Sequence, residues 1–133
     1  MLAPPDPEAK RDPETSRRLS KEGATAFARG KLAEAEAQFQ RALKSDSGNA
    51  EAVFGLAEVY FERARYTEAL DYARRAARMS PKSARYHVLC GDAYYKLLRY
   101  QDALNSWRKA LGLRPGDPAI QRRIENLEKK VGK

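Results

Sequence analysis

The chain has 133 residues, enough for one domain and too few for two independent cores. Charged residues supply 33% and aliphatic plus aromatic residues 42%, with Leu, Tyr and Ala recurring at regular spacing, which excludes a disordered chain. A formal net charge of +8 raises nucleic acid or an anionic surface as partners; the single cysteine, Cys90, excludes an internal disulfide and a multi-cysteine metal site; no apolar run is long enough to span a membrane.

Met1–Pro7 lacks the charged start and apolar run of a secretory signal, so a cytoplasmic setting is expected. The Ala- and Arg-rich composition points to a GC-rich bacterial genome. Residues 1–12, with Pro4, Pro5 and Pro7 and no periodicity, read as a flexible leader. Asp12–Pro13 can open a first helix, and Gly30 breaks it from a second. Asn49 and Ser83 are natural N-caps for the helices that follow them, whereas Ala64 and Leu98 leave two later turns less well specified than a glycine would. Asp117, with Pro118 at the first helical position, opens a last helix over 118–131. Its Ile120, Ile124, Leu127 and Val131 share one face, and Arg122, Arg123, Glu125, Lys129 and Lys130 occupy the rest, as suits a helix that closes the apolar end of a stack.

Between these ends the sequence repeats every 34 residues. Ala35, Ala69 and Ala103 keep that spacing, as do Ala42, Ala76 and Ala110, and Pro81 with Pro115; Ser47 stands in the matching place of the first copy. The copies run 16–49, 50–83 and 84–117. Gly23, Ala57 and Gly91 let the second helix of each copy approach the first, and the alanine series give that second helix a flat side. Large residues at positions 4, 11 and 24 of the copies, among them Leu19, Val53, Tyr60, Tyr94, Phe39 and Trp107, are expected to fill the remaining gaps.

On these residues the chain resembles the tetratricopeptide repeat family over about 16–117, followed by that family's capping helix. The resemblance implies an all-α, right-handed superhelical solenoid of three antiparallel helix pairs plus a cap, in a single domain over 13–131. The first copy departs from the family pattern at Glu22 and Ala26, where apolar and aromatic residues are usual, so its first helix is expected to pack more loosely.

The resemblance also implies a groove. Positions 2, 5, 9, 12 and 13 face it in the family, which here gives Arg17, Ser20, Ala24, Phe27 and Ala28, then Glu51, Phe54, Glu58, Phe61 and Glu62, then Arg85, Val88, Asp92, Tyr95 and Lys96. Phe27, Phe61 and Tyr95 either form an exposed aromatic ladder with Phe54 and Val88 as a second row, or pack between adjacent first helices. The groove charges nearly cancel, so the excess positive charge lies on the second helices (Arg41, Lys44, Arg74, Arg75, Arg78, Arg108, Lys109) and in the cap. Some family members clamp the terminal carboxylate of chaperone tails; the matching places hold Ser20, Ala24, Gly55 and Leu89, and only Arg85 fits, which disfavours that role.

Catalytic, metal and cofactor sites are not expected. His87 and Cys90, three apart, lack further ligands and read as packed core residues, and a buried His87 cannot anchor a Ser/His/Asp triad. Arg29–Gly30–Lys31 lacks the spacing of a phosphate loop, Trp107 reads as core, and Glu51, Glu58 and Glu62 in an open groove lack the desolvation that raises a carboxyl pKa. The expected function is therefore a non-catalytic scaffold or adaptor. It takes a peptide or helix with apolar anchors into the groove, where a ligand Lys or Arg reaches the three glutamates. A monomer fits that role. The second class is end-to-end self-association or membership of a longer repeat array, and the third is electrostatic binding of nucleic acid or anionic lipid, disfavoured because aromatic residues do not interleave with the basic ones.

Overall fold

The computed structural model describes residues 11–132, and every regular element among them is an α-helix. In chain order these are α1 (Pro13–Ala28), α2 (Leu32–Ser45), α3 (Ala50–Glu62), α4 (Tyr66–Met79), α5 (Ala84–Lys96), α6 (Tyr100–Leu113) and α7 (Pro118–Val131). Each of α1–α2, α3–α4 and α5–α6 is a pair folded back on itself, each pair packs on the next, and α7 lies on α6. The chain is thus an all-α solenoid.

The helix starts follow their caps. The Asp12 side chain accepts from the Thr15 N–H at 3.1 Å, that of Asn49 from Ala52 at 3.1 Å, and that of Asp117 from Ala119 at 2.9 Å. Ser83 stands at the N-cap of α5, but its side chain makes no capping bond. Arg11 and Asp12, expected in the leader, belong to the folded unit. Arg11 pairs with the nearly buried Asp46 at 2.8 Å, and the Asp12 N–H donates to Ser45 O at 2.9 Å. The rest of the expected leader, residues 1–10, lies outside the described residues.

All three turns within the pairs use one device. Gly30, Ala64 and Leu98 take positive φ of 76°, 61° and 64°. At each, its N–H bonds back to the third residue before it, and the next N–H (Lys31, Arg65, Arg99) reaches the carbonyl of Ala26, Tyr60 or Tyr94 at 2.9 Å. This is the Schellman closure of a helix C-terminus, and only the first copy gives it the glycine that the left-handed conformation favours.

Packing between the pairs depends on the size of the position-24 side chain. The six repeat alanines of α2, α4 and α6 are fully buried. Phe39 wedges between α1 and α3, and a Cβ at Gly23 would come within 2.8 Å of its ring, while one at Gly55 would overlap it. At the next seam the sizes are exchanged: Ala73 stands in place of Phe39, and Leu89 in place of Gly55, within one buried cluster. Trp107 restores the large ring, pressed against Gly91 and packed with Ile120, Ile124 and Leu127 of α7. The glycines therefore admit a ring from the partner helix, not the helix backbone itself.

Two sequence expectations need correction here. The first helix is not loose: Leu19, Gly23 and Ala26 are buried, and polar contacts replace the missing aromatic. Ser16 Oγ donates to Ala42 O at 2.7 Å, and Asn49 Nδ2 donates to the hydroxyls of Ser16 and Ser20 at 2.8 and 2.9 Å. On α7, Val131 is 48% exposed, so only Ile120, Ile124 and Leu127 of the expected stripe close the stack.

Two outcomes follow for stability. Leu98 is 71% exposed and loses no packing on truncation, so Leu98→Gly should stabilise by about 1 kcal/mol, the left-handed strain relieved outweighing the entropy glycine adds to the unfolded chain. A raised urea midpoint with unchanged slope is the readout. Gly55→Leu should destabilise by about 1–3 kcal/mol through overpacking and Phe39→Ala by about 3–5 kcal/mol through a cavity. The double variant rebuilds the Ala73/Leu89 arrangement, so its loss should fall short of the sum of the single losses by more than about 1 kcal/mol. Additive losses would show that the two sites do not share one space.

Candidate functional site

Three adjoining cavities open on the face formed by α1, α3 and α5 and bounded by α7. The first, of about 310 Å³, lies between α1, α3 and α5, with Ser20, Ala24, Phe54, Gly55 and Glu58 among its walls. The second, of about 270 Å³, shares Phe54, Glu58 and Arg85 with it and extends to Val88 and Ile120. The third, of about 330 Å³, lies between Phe61, Tyr95, Trp107 and Leu127. All but two of the residues named from the sequence for this site line these cavities; Phe27 and Glu62 do not.

The aromatic residues are distributed differently from either expected arrangement. Phe27, Phe61 and Tyr95 are each half-buried, and each packs on the core cluster of its own region: Phe27 near Leu32, Phe61 on Tyr66 at 5.2 Å, Tyr95 on Tyr100 at 5.6 Å and Trp107 at 6.0 Å. Each ring is thus paired with the first residue of the helix that follows it, in steps of one repeat. Phe54, expected on an open row, is buried at 4% exposure, because Tyr86 stacks on it at 4.6 Å and the Arg85 guanidinium lies 4.8 Å from its ring centre. Tyr86 was missed in the sequence: it sits beside a groove position rather than on one, and only its aromatic character could have drawn attention to it. Burial, with the Glu51 carboxylate close by, pushes its hydroxyl up to about 12.

The charged residues divide into satisfied and open groups. Asp92 accepts from Trp107 Nε1 at 3.0 Å and from Arg123 Nε at 2.9 Å, so the cap helix already neutralises it. Glu51 faces Arg85 at 3.7 Å. Lys96 lies 5.9 Å from the Tyr66 ring centre, and Lys130 of the cap lies over both Tyr95 and Tyr100 at 5.3 and 5.4 Å. Glu58 differs from the expectation of a fully solvated cluster. It is half-buried, and burial raises its carboxyl pKa, with Glu51 and Glu62 adding to the shift and Arg85 opposing it. It makes no ion pair among the described residues, and Glu62, one turn on, is exposed.

His87, expected in the core, is half-exposed on the opposite face, its Nε2 2.8 Å from Pro81 O. Cys90 beneath it is buried, which pushes its thiol up to about 11, far from a reactive thiolate. No group of three or more His, Cys, Asp or Glu able to hold a metal occurs among the described residues. No helix among them is long and apolar enough to cross a membrane.

Known proteins can be set beside this geometry. No curated protein matches the chain. The first TPR of Spaghetti (RPAP3), solved with the HSP90 peptide SRMEEVD, superposes with a TM-score of 0.88 at 18% identity, covering 92% of this chain and 98% of that one. The Arabidopsis OM64 TPR domain gives 0.84 at 23% identity over 89% and 98% of the two chains. The Sgt2 TPR domain from Aspergillus fumigatus gives 0.83 at 24% over 97% and 85%. At these identities the likeness is one of fold. Residues 21–84 and 84–117 match two family models, each described as tetratricopeptide repeat, and together with the three helix pairs of the fold they show that the chain belongs to the tetratricopeptide repeat family.

Proposed function

We propose that the chain is a non-catalytic protein-interaction module whose α1/α3/α5 face takes a short segment of a partner protein. The observation that carries this reading is Glu58, a half-buried carboxylate with no cation of its own that lines two adjoining cavities. Such a group gains most from a ligand that supplies a positive charge to a partly desolvated site. Apolar support lies on both sides of it: Ala24 and the edge of Phe54 toward α1, Val88 and Ile120 toward the cap. Phe61 and Tyr95 extend the apolar surface along the groove. The ligand is therefore a peptide with one or two apolar anchors and a Lys or Arg placed to reach Glu58 and Glu62.

A similar fold carries an HSP90 peptide ending in a carboxylate, but that ligand class does not suit this surface. The places a carboxylate clamp needs hold Ser20, Ala24, Gly55 and Leu89. Arg85, in the remaining one, is engaged with Glu51 and Phe54.

Selection of a random peptide library on the chain should return sequences with aliphatic or aromatic anchors and a basic residue, binding with Kd on the order of micromolar. Phe61→Ala with Glu58→Lys should weaken the selected peptides at least tenfold while the helical circular dichroism is unchanged; unchanged affinity rejects this placement. The same peptides should show a pH dependence set by Glu58. Its folded-state pKa is raised, so the carboxylate is lost at a higher pH than an ordinary Glu, and affinity should fall on acidification while still above the usual carboxylate range. Glu58→Gln should remove that dependence. It should also stabilise the free chain at neutral pH, because a raised carboxyl pKa means that native stability is lost as pH rises through it.

A further inference from the structure

We infer that the outer face carries a phosphate-binding pocket between the second and third repeats, with Arg74, Arg78 and Lys109 as its cationic rim and Ala77, Cys90 and Ser106 in its walls. The cavity has a volume of about 400 Å³, is also lined by His87 and Tyr94, and has no carboxylate in its lining. It lies on the side away from the groove and stands independently of the peptide-binding reading.

The 34-residue period provides an internal control. One repeat earlier, Leu43, Leu56 and Tyr72 occupy the places of Ala77, Cys90 and Ser106, and Val53 that of His87. There the larger side chains close the notch: Leu43 and Tyr72 pack on the cluster that buries Leu56, and Tyr72 stacks on Tyr60 at 5.5 Å. At the second seam all three fillers are exchanged for smaller side chains and the valine for a polar imidazole, and a cavity results. A buried seam left open costs dispersion contacts, so the exchange calls for an occupant.

The charges change in the same places. Gln40 of the first repeat becomes Arg74 in the second, and Lys44 becomes Arg78. Arg75, which lies over the Tyr72 ring at 5.5 Å, corresponds to Lys109, whose equivalent ring is absent because Ser106 replaces Tyr72. None of Arg74, Arg78 and Lys109 makes an ion pair among the described residues, although nine other cations do. The three fields also converge: all three cations oppose the effect of burial on the one thiol of Cys90.

Two guanidinium forks and an ammonium, with the Tyr94 and Ser106 hydroxyls nearby, match the several acceptor oxygens and double charge of a phosphate group. The volume exceeds that of the bare anion and lies within the range of small-molecule sites, so the ligand class is a phosphate monoester with a small organic body.

The test is a ¹H–¹⁵N NMR titration of the full chain with phenyl phosphate and with inorganic phosphate. Saturable shifts confined to the amides around His87, Cys90, Tyr94 and Ser106 are expected. Tighter binding of phenyl phosphate assigns the pocket to an ester, and equal binding to the free anion; both support the site. Arg74→Gln with Lys109→Gln, both surface changes, should weaken binding at least tenfold. Ala77→Leu with Ser106→Tyr restores two first-repeat fillers and keeps every cation, and should also abolish binding. Undiminished binding to that refilled variant would overturn the proposal. So would unsaturable shifts spread over Arg41, Lys44, Arg75 and Arg108, which report a diffuse basic surface that any polyanion, nucleic acid included, would satisfy.

Discussion

The structure depends on how much room is left where a position-24 side chain meets the first helix of its own pair and of the next. Phe39 can sit between α1 and α3 only because Gly23 and Gly55 carry no side chain. Trp107 needs Gly91 for the same reason, and where Ala73 takes the place of the ring, Leu89 fills the space from the other side. Protein interiors tolerate neither overlap nor void at the scale of a methylene. These exchanges therefore fix the spacing of successive helix pairs. The width of the face lined by α1, α3 and α5 follows from that spacing, so a choice made in the core sets the dimensions of the surface that meets a ligand.

The same face is partly occupied by the chain itself. Arg85 lies on Phe54 and toward Glu51, Arg123 holds Asp92, and Lys130 covers Tyr95 and Tyr100. Each is a cation of this protein placed where a ligand's cation might have gone. Exposed contacts of this kind are worth little one by one, so a partner can displace them, but they favour ligands that compete well for the remaining carboxylates. Glu58 and Glu62 are those remaining groups. The binding surface is thus selected less by which residues point into the groove than by which of them the cap and α5 leave unsatisfied.

That distinction explains what could be read from the sequence. The seven helices and the alanine contacts were legible because they recur with one period and involve residues close along the chain. The turn at Leu98 was legible only as a weak place, and its Schellman geometry shows that the fold imposes the conformation whatever residue stands there. The fate of Asp92 was not legible, since its partner Arg123 comes from a helix outside the repeat, 31 residues on. Nor was the desolvation of Glu58, which depends on how α3 and α5 pack together. Gly55 was weighed only as a failed clamp position; its reason, the ring of Phe39, lies in the preceding copy, and a comparison of equivalent positions cannot show a contact between unlike ones. Val131 and His87 were misplaced for a related reason. Periodicity assigns a residue to a face, while its burial depends on whether a neighbour exists to cover it.

A repeat protein nevertheless offers a comparison that a unique fold does not, because each copy states what the others would look like if packing alone governed them. Judged that way, departures separate into two kinds. Phe39/Gly55 against Ala73/Leu89 is a compensated departure: volume lost on one side returns on the other, and no cavity results. Leu43, Leu56 and Tyr72 against Ala77, Cys90 and Ser106 is uncompensated, since all three changes reduce volume and a cavity of about 400 Å³ remains. Compensation is what stability alone requires. An uncompensated loss, with unpaired cations gathered at its rim, has no source in the packing of this fold, and that is the physical reason to look for chemistry on the outer face as well as in the groove.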